Sequence, residues 1–356
     1  MRPVLGLVLV AIATSGCTRS PSDAEIDRAL AEVRAENDAQ NTKAGKAEAE
    51  QWTLAIRGNV KDGGVELSWA EIEKRATSHI KTPSPTHTAD VKKVLDYRGI
   101  VIRDLLTELE AREDDGPGGH EITVVASDGY RAARPIGFFQ RNPIMLAIEE
   151  DGLPLVRKTG GPLLEVMPHA THPETLEKAA EGGAYYVTAL IVGTEKLALD
   201  VGGKKLDLHD LDGLSQKTVT GKVGFRSRWS TTGIAIHGPL LRDVIEVGAK
   251  LDLPSDGEVK IGRKPHADVA SRATMLLPIA DVQGCDIIVG TRFGDERALI
   301  PAVQGGPAIL AFPKNCAATT KNQAWPTFVE RIEVLAGDAG APTGDGGANV
   351  MKDGGR

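Results

Sequence analysis

Apolar positions recur along the chain in short runs broken by turn residues, not in long helical stripes. Residues 54–60 and 65–67 alternate around Asp62-Gly63-Gly64, which predicts a β-hairpin. Ser68 then stands as N-cap to a short helix over 69–75. Residues 99–102 read as extended and 104–111 (DLLTELEA) as helical. The run 121–126 (EITVVA) reads as a strand entering the turn Ser127-Asp128-Gly129-Tyr130, and 144–148 as a buried strand ending at Glu150-Asp151-Gly152. Residues 163–166 and 185–192 complete this set. Ahead of it, residues 18–51 are rich in Ala, Glu and Asp, with Ser22 and Glu25 as a capping box and only Ile26, Leu30 and Val33 at helical spacing. That predicts a short helix followed by a polar tether. Residues 338–356 carry no apolar pattern and are expected to be a disordered tail.

The first line of the sequence is different in kind. Residues 1–17 (MRPVLGLVLVAIATSGC) combine Arg2, an apolar run from Val4 to Ala13, and the small residues Thr14-Ser15-Gly16 before Cys17. About ten apolar residues rise only ~15 Å, half of a ~30 Å hydrocarbon core, so the segment is an export signal and not a spanning helix. Its ending resembles a bacterial lipobox, which implies Cys17 as the lipidated first residue of the mature chain, held in a membrane by its acyl chains. Thr18 in place of Asp implies the outer membrane in a Gram-negative host.

Composition narrows the function classes. The 356 residues carry a formal charge of −7, without the basic footprint of a nucleic-acid binder, so no nucleic-acid partner is expected. Aromatics are scarce at 4%, while 40 Gly and 20 Pro favour many turns over a helical bundle. Of three cysteines, Cys285 and Cys316 remain after the signal; they either pair, closing a loop worth ~3–4 kcal/mol, or stay as buried thiols. No metal-ligand spacing such as CxxC or HExxH is present.

Comparing the chain with itself reveals an ordered repeat at a spacing of roughly 140 residues. Gly99, Arg103 and Asp104 match Gly238, Arg242 and Asp243; Gly160-Gly161-Pro162 and Pro168 match Gly305-Gly306-Pro307 and Pro313. Leu54-Ala55-Ile56 matches Leu197-Ala198-Leu199, and a closing strand at Val187 matches one at Val329. Two homologous domains, 52–194 and 195–337, are expected, each α+β or mainly β.

Four ordered motifs in the first of these, Gly99 to Leu106, Ser127 to Tyr130, Ile144 to Leu155 and Gly160 to Pro168, resemble the molybdopterin-binding domain of the sulfite oxidase family. The second lacks the Ser-Asp-Gly-Tyr turn and is the divergent copy. The resemblance implies a pterin cofactor whose molybdenum is bound by a Cys thiolate just ahead of the Gly99 motif. In this chain the corresponding stretches are 78–85 and 218–228, and neither contains Cys. Ser84 offers an oxygen there but reads as a loop residue between prolines. The resemblance also implies cofactor contacts from Ser127, Asp128, Gly129, Tyr130, Arg131, Arg134, Gly160 and Gly161, since basic side chains and close-approaching backbone would hold the pterin phosphate. Arg141, Arg157 and Lys158 lie in the same loops. His169 and His172 form an i, i+3 pair with no third ligand nearby and read as loop histidines, and no catalytic residue is assigned.

The resulting expectation is a lipid-anchored, extracytoplasmic protein of two tandem molybdopterin-domain folds without their metal ligand. It would act as a binding or scaffold protein, without cofactor, for a protein partner or an anionic small molecule. The alternative is a molybdopterin-dependent oxidoreductase that keeps its cofactor through Arg and backbone contacts.

Overall fold

The computed structural model describes residues 23–83, 93–116, 118–175, 183–223, 233–250, 252–263, 274–316 and 325–336. The signal with Cys17, the Ser22 cap, Ser84 and the tail from 338 lie outside the described residues. What is described is a mixed α/β fold with many strands and few helices.

The chain enters through α1 (Asp23–Ala49). The short helix and polar tether expected over 18–51 are one continuous helix of 27 residues. Its last turns dock on the body. Gly45 is buried so tightly that a Cβ there would run into the Val156 side chain, Ala49 is buried, and Glu48 pairs with Arg157 at 2.5 Å. Small residues let this helix approach closely, which an apolar stripe does not announce.

The first half follows. The hairpin β1 (Thr53–Gly58) and β2 (Gly64–Ser68) turns through Asp62, Gly63 and Gly64, all at positive φ. Next comes α2 (Trp69–Arg75), where the Ser68 N–H and Oγ both donate to Glu71 Oε2 at 2.9 and 2.7 Å. Then run β3 (Ser78–Pro83), β4 (Val94–Val101), α3 (Ile102–Glu108), β5 (Glu121–Ala126), β6 (Arg131–Pro135) and α4 (Ile136–Arg141). It closes with β7 (Met145–Glu150), β8 (Leu153–Pro154), a 3-10 turn over Arg157–Thr159, β9 (Leu164–Val166) and β10 (Val187–Val192).

The second half contains β11 (Leu199–Val201), β12 (Lys204–Leu206), α5 (Leu208–Asp212), β13 (Gln216–Gly221), β14 (Ile234–Pro239) and α6 (Leu241–Ala249). After these come β15 (Gly257–Arg263), β16 (Thr274–Pro278), α7 (Ile279–Gly284), β17 (Ile288–Gly290), β18 (Arg292–Phe293) and β19 (Ala298–Leu299). A 3-10 turn over Ala302–Gln304, β20 (Ile309–Ala311) and β21 (Val329–Ala336) complete it.

One five-stranded sheet in each half has the same strand order: β2-β1-β10-β5-β6 in the first and β12-β11-β21-β15-β16 in the second. In both, the first and last strands of the half lie side by side and parallel. Each half has its own core: Leu54, Ile56, Ile122, Val124 and Leu190 in the first, Leu199, Val201, Val259, Ile261 and Ile332 in the second. Strand periodicity sends their neighbours to the opposite face. In the first half that face is apolar: Ala55, Val125, Ala189 and Ile191 pack against Ala302 and Phe328 of the second half. Cys285, just past α7, is bonded to Cys316, with Cα atoms 5.5 Å apart. Among the three cysteines of the sequence these two are therefore not free thiols.

Candidate functional site

The eight residues assigned to a cofactor lie in three places. Ser127, Asp128, Gly129 and Tyr130 make the β5–β6 turn. Asp128 Oδ1 accepts from the Tyr130 N–H at 2.9 Å, Ala126 and Tyr130 close the hairpin, and the Ser127 N–H reaches the Tyr186 carbonyl at 2.9 Å. Every one of these contacts shapes the turn.

Arg134 and Arg131 are neighbours on β6 with opposite fates. The Arg134 guanidinium is buried and donates to Glu165 on β9 at 2.7 Å. The second Glu165 oxygen accepts the Ala184 N–H at 3.0 Å. Arg131 leaves its own half: Nη2 donates to Thr327 Oγ1 at 2.9 Å, and the guanidinium carbon lies 4.6 Å from the centre of the Phe328 ring. Gly160, at φ +92°, and Gly161 do permit a close approach, but Tyr185 and Leu155 make it: a Cβ at either position would collide with them.

The remaining basic and histidine candidates are also spoken for or apart. Arg157 joins Glu48 and stacks over Tyr186 at 4.6 Å, and Arg141 and Lys158 are exposed. His169 Nδ1 faces Thr175 Oγ1 and His172 Nδ1 faces Thr171 Oγ1, both at 2.9 Å. Burial holds the His169 imidazole below its ordinary pKa.

Two clefts are lined by other residues. The smaller, about 410 Å³, opens beside β3 between Ser78, His79, Lys81, Arg103, Pro168 and Thr171. β3 belongs to the stretch where the family resemblance places the coordinating thiolate, and no Cys stands there. His79 is paired with Asp96 at 3.1 Å. A molybdenum pterin does not fit this donor set: the soft sulfur is missing, and Arg131 and Arg134 each already donate to a partner within the chain.

The larger cleft, about 920 Å³, lies between the two halves. Ala55, Ala189, Ile191 and Phe328 are at its floor, and β11, β15 and β21 supply a charged wall. Arg57 of β1 crosses to Glu330 of β21 at 3.1 Å. At one end Asp114 holds the connection between the halves, accepting from the Thr194 N–H at 3.0 Å, Thr194 Oγ1 at 2.7 Å and the Gly116 N–H at 2.7 Å. Burial pushes the Asp114 carboxyl up, but these donors outweigh it and leave its pKa below the ordinary value.

Sequence reasoning singled out none of this wall. The signal was available in β10 and β21. The former, VTALIV, is apolar on both faces, as a strand covered on both sides must be; the latter, VERIEVLA, alternates, as a half-buried strand does.

A family model described as oxidoreductase molybdopterin binding domain matches residues 41–172. A comparison with curated proteins finds no match. Among solved structures, the sulfane dehydrogenase SoxCD from Paracoccus pantotrophus is similar at 12% identity with a TM-score of 0.30. That similarity covers 61% of this chain and 58% of the other, so this chain spans less than two thirds of that protein's length. From the last turns of α1 through β9, residues 41–172 are similar to the oxidoreductase molybdopterin binding domain.

Proposed function

We propose that this is a lipid-anchored extracytoplasmic binding protein, built from two copies of a molybdopterin-domain fold that no longer hold the metal. The observation that carries this is the fate of Arg131 and Arg134. The side chains that would face a pterin phosphate are bonded to Thr327 and Glu165 within the chain. The absence of Cys from the β3 stretch agrees with it. Duplication is supported by the common strand order of the two sheets, and by the matched turns in which the Tyr186 N–H meets the Gly160 carbonyl and the Phe328 N–H meets the Gly305 carbonyl. Anchoring is supported by the sequence ending at Cys17, with α1 between the lipid and the body. The disulfide suits an oxidising compartment.

A molybdopterin-dependent oxidoreductase is the second reading, favoured by the match of residues 41–172 to that family. Native mass spectrometry of protein extracted from its host's membranes separates the two. The expected mass is that of the chain from Cys17 plus acyl groups. A mass increment for a pterin would favour the second reading, and an unlipidated chain would remove the anchor.

A further inference from the structure

The two halves correspond residue by residue where their hydrogen bonds coincide. Helices α4 and α7 each span 6 residues behind a proline and end at Asn142 and Cys285, both extended. The Ile102 N–H donates to the Ile144 carbonyl and the Leu241 N–H to the Ile287 carbonyl, both at 2.8 Å. That sets Arg103 against Arg242 and Pro143 against Asp286. The Thr171 N–H donates to the Pro168 carbonyl and the Cys316 N–H to the Pro313 carbonyl, each at 3.1 Å, so Thr171 stands where Cys316 does.

In the second half this corner is closed. The bond between Cys285 and Cys316 clamps it. Arg242 Nη2 donates to Asp286 Oδ1 at 3.1 Å, and Nη1 to the Gln283 carbonyl at 3.3 Å. In the first half the same corner is the 410 Å³ cleft beside β3, lined by Arg103, Pro143, Pro168 and Thr171. Clamp and carboxylate are both gone: Asn142 and Thr171 replace the cysteines, and Pro143 replaces Asp286. Arg103 keeps only the neighbouring Asp104, 3.7 Å from its Nε, and its guanidinium donates no hydrogen bond among the described residues. No Asp or Glu lines this cleft. Lys81 does, and forms no ion pair among the described residues, while His79 is taken by Asp96. The volume falls within the range of small-molecule sites.

We infer that the cleft beside β3 binds a small organic polycarboxylate. One acid group would take on Arg103 the place that Asp286 takes on Arg242, and a second would meet Lys81. The second half thus displays, within its own chain, the group for which the first half leaves room. Arg suits a carboxylate because its planar fork of N–H groups matches the two oxygens. This deepens the binding-protein reading and rests on it, and on the halves being copies.

The test is calorimetric titration of the full mature chain with citrate, and separately with sulfate at matched ionic strength. Saturable citrate binding at one site is expected, with sulfate much weaker. Arg103→Ala should weaken it about tenfold, and Pro143→Asp, which supplies the missing carboxylate from within the chain, by as much. Arg242→Ala should leave it unchanged. No saturable citrate binding, equal binding of sulfate, or binding indifferent to Pro143→Asp overturns the inference. Stoichiometric molybdenum in the protein would instead overturn the reading beneath it, so the two failures are distinct.

Discussion

Arg134 and Glu165 meet at 2.7 Å with side chains 2% and 0% exposed, and they join the edge strand β6 of one sheet to β9 of another. Charges removed this completely from water are tolerated only as a pair. Arg134→Ala or Glu165→Ala should each cost about 3–5 kcal/mol of unfolding free energy, because the partner is left buried and uncompensated. The double replacement Arg134→Met/Glu165→Leu should recover most of the loss. Urea denaturation of the three variants checks this. A single variant as stable as the parent would mean that the guanidinium is not committed to Glu165.

Arg131 ties the halves. Removing its hydrogen bond to Thr327 and its stacking on Phe328 with Arg131→Ala should cost about 1–2 kcal/mol. Hydrogen exchange is expected to speed up at Phe328 and the start of β21 and to stay unchanged in the first core. Equal exchange at Phe328 would contradict the contact.

Asp114 makes stability depend on acid. Its folded pKa lies below the unfolded value, near 3.8, because Thr194 and Gly116 donate to the carboxylate. Its contribution is fully present above that unfolded value and is lost as pH falls through the folded one. Asp114→Asn should therefore lower the denaturation midpoint clearly at pH 7 and by less at pH 3, below the unfolded value. An equal difference at both pH values would rule out the ionised carboxylate as the cause.

Cys285 and Cys316 are 31 residues apart in sequence, and closing a loop of that size contributes about 3–4 kcal/mol through the unfolded chain. Reduction, or Cys285→Ser/Cys316→Ser, should lower the melting temperature of the second half. Near-ultraviolet signals from Tyr97 and Tyr130 in the first half should hold to the parent's temperature. A melt indifferent to reductant would contradict the pairing.

Local grammar carried much of the fold. The strand over 121–126 and the helix over 69–75 behind Ser68 stand where the sequence puts them, because alternation and capping act between near neighbours. The length of α1 was hidden, since it docks through Gly45 and Ala49, residues that give no apolar signal. The roles of Arg131 and Arg134 were hidden for another reason. Their partners Thr327 and Glu165 are distant in sequence, and a basic residue beside a turn looks the same whether it faces a phosphate or a buried glutamate. The cleft was hidden likewise, because β1 in its floor and β21 in its wall stand more than two hundred residues apart in the chain.

If the chain is a binding protein without a metal cofactor, as we propose, elemental analysis of protein purified from its native host finds molybdenum and tungsten far below one atom per chain. A stoichiometric amount of either overturns that reading.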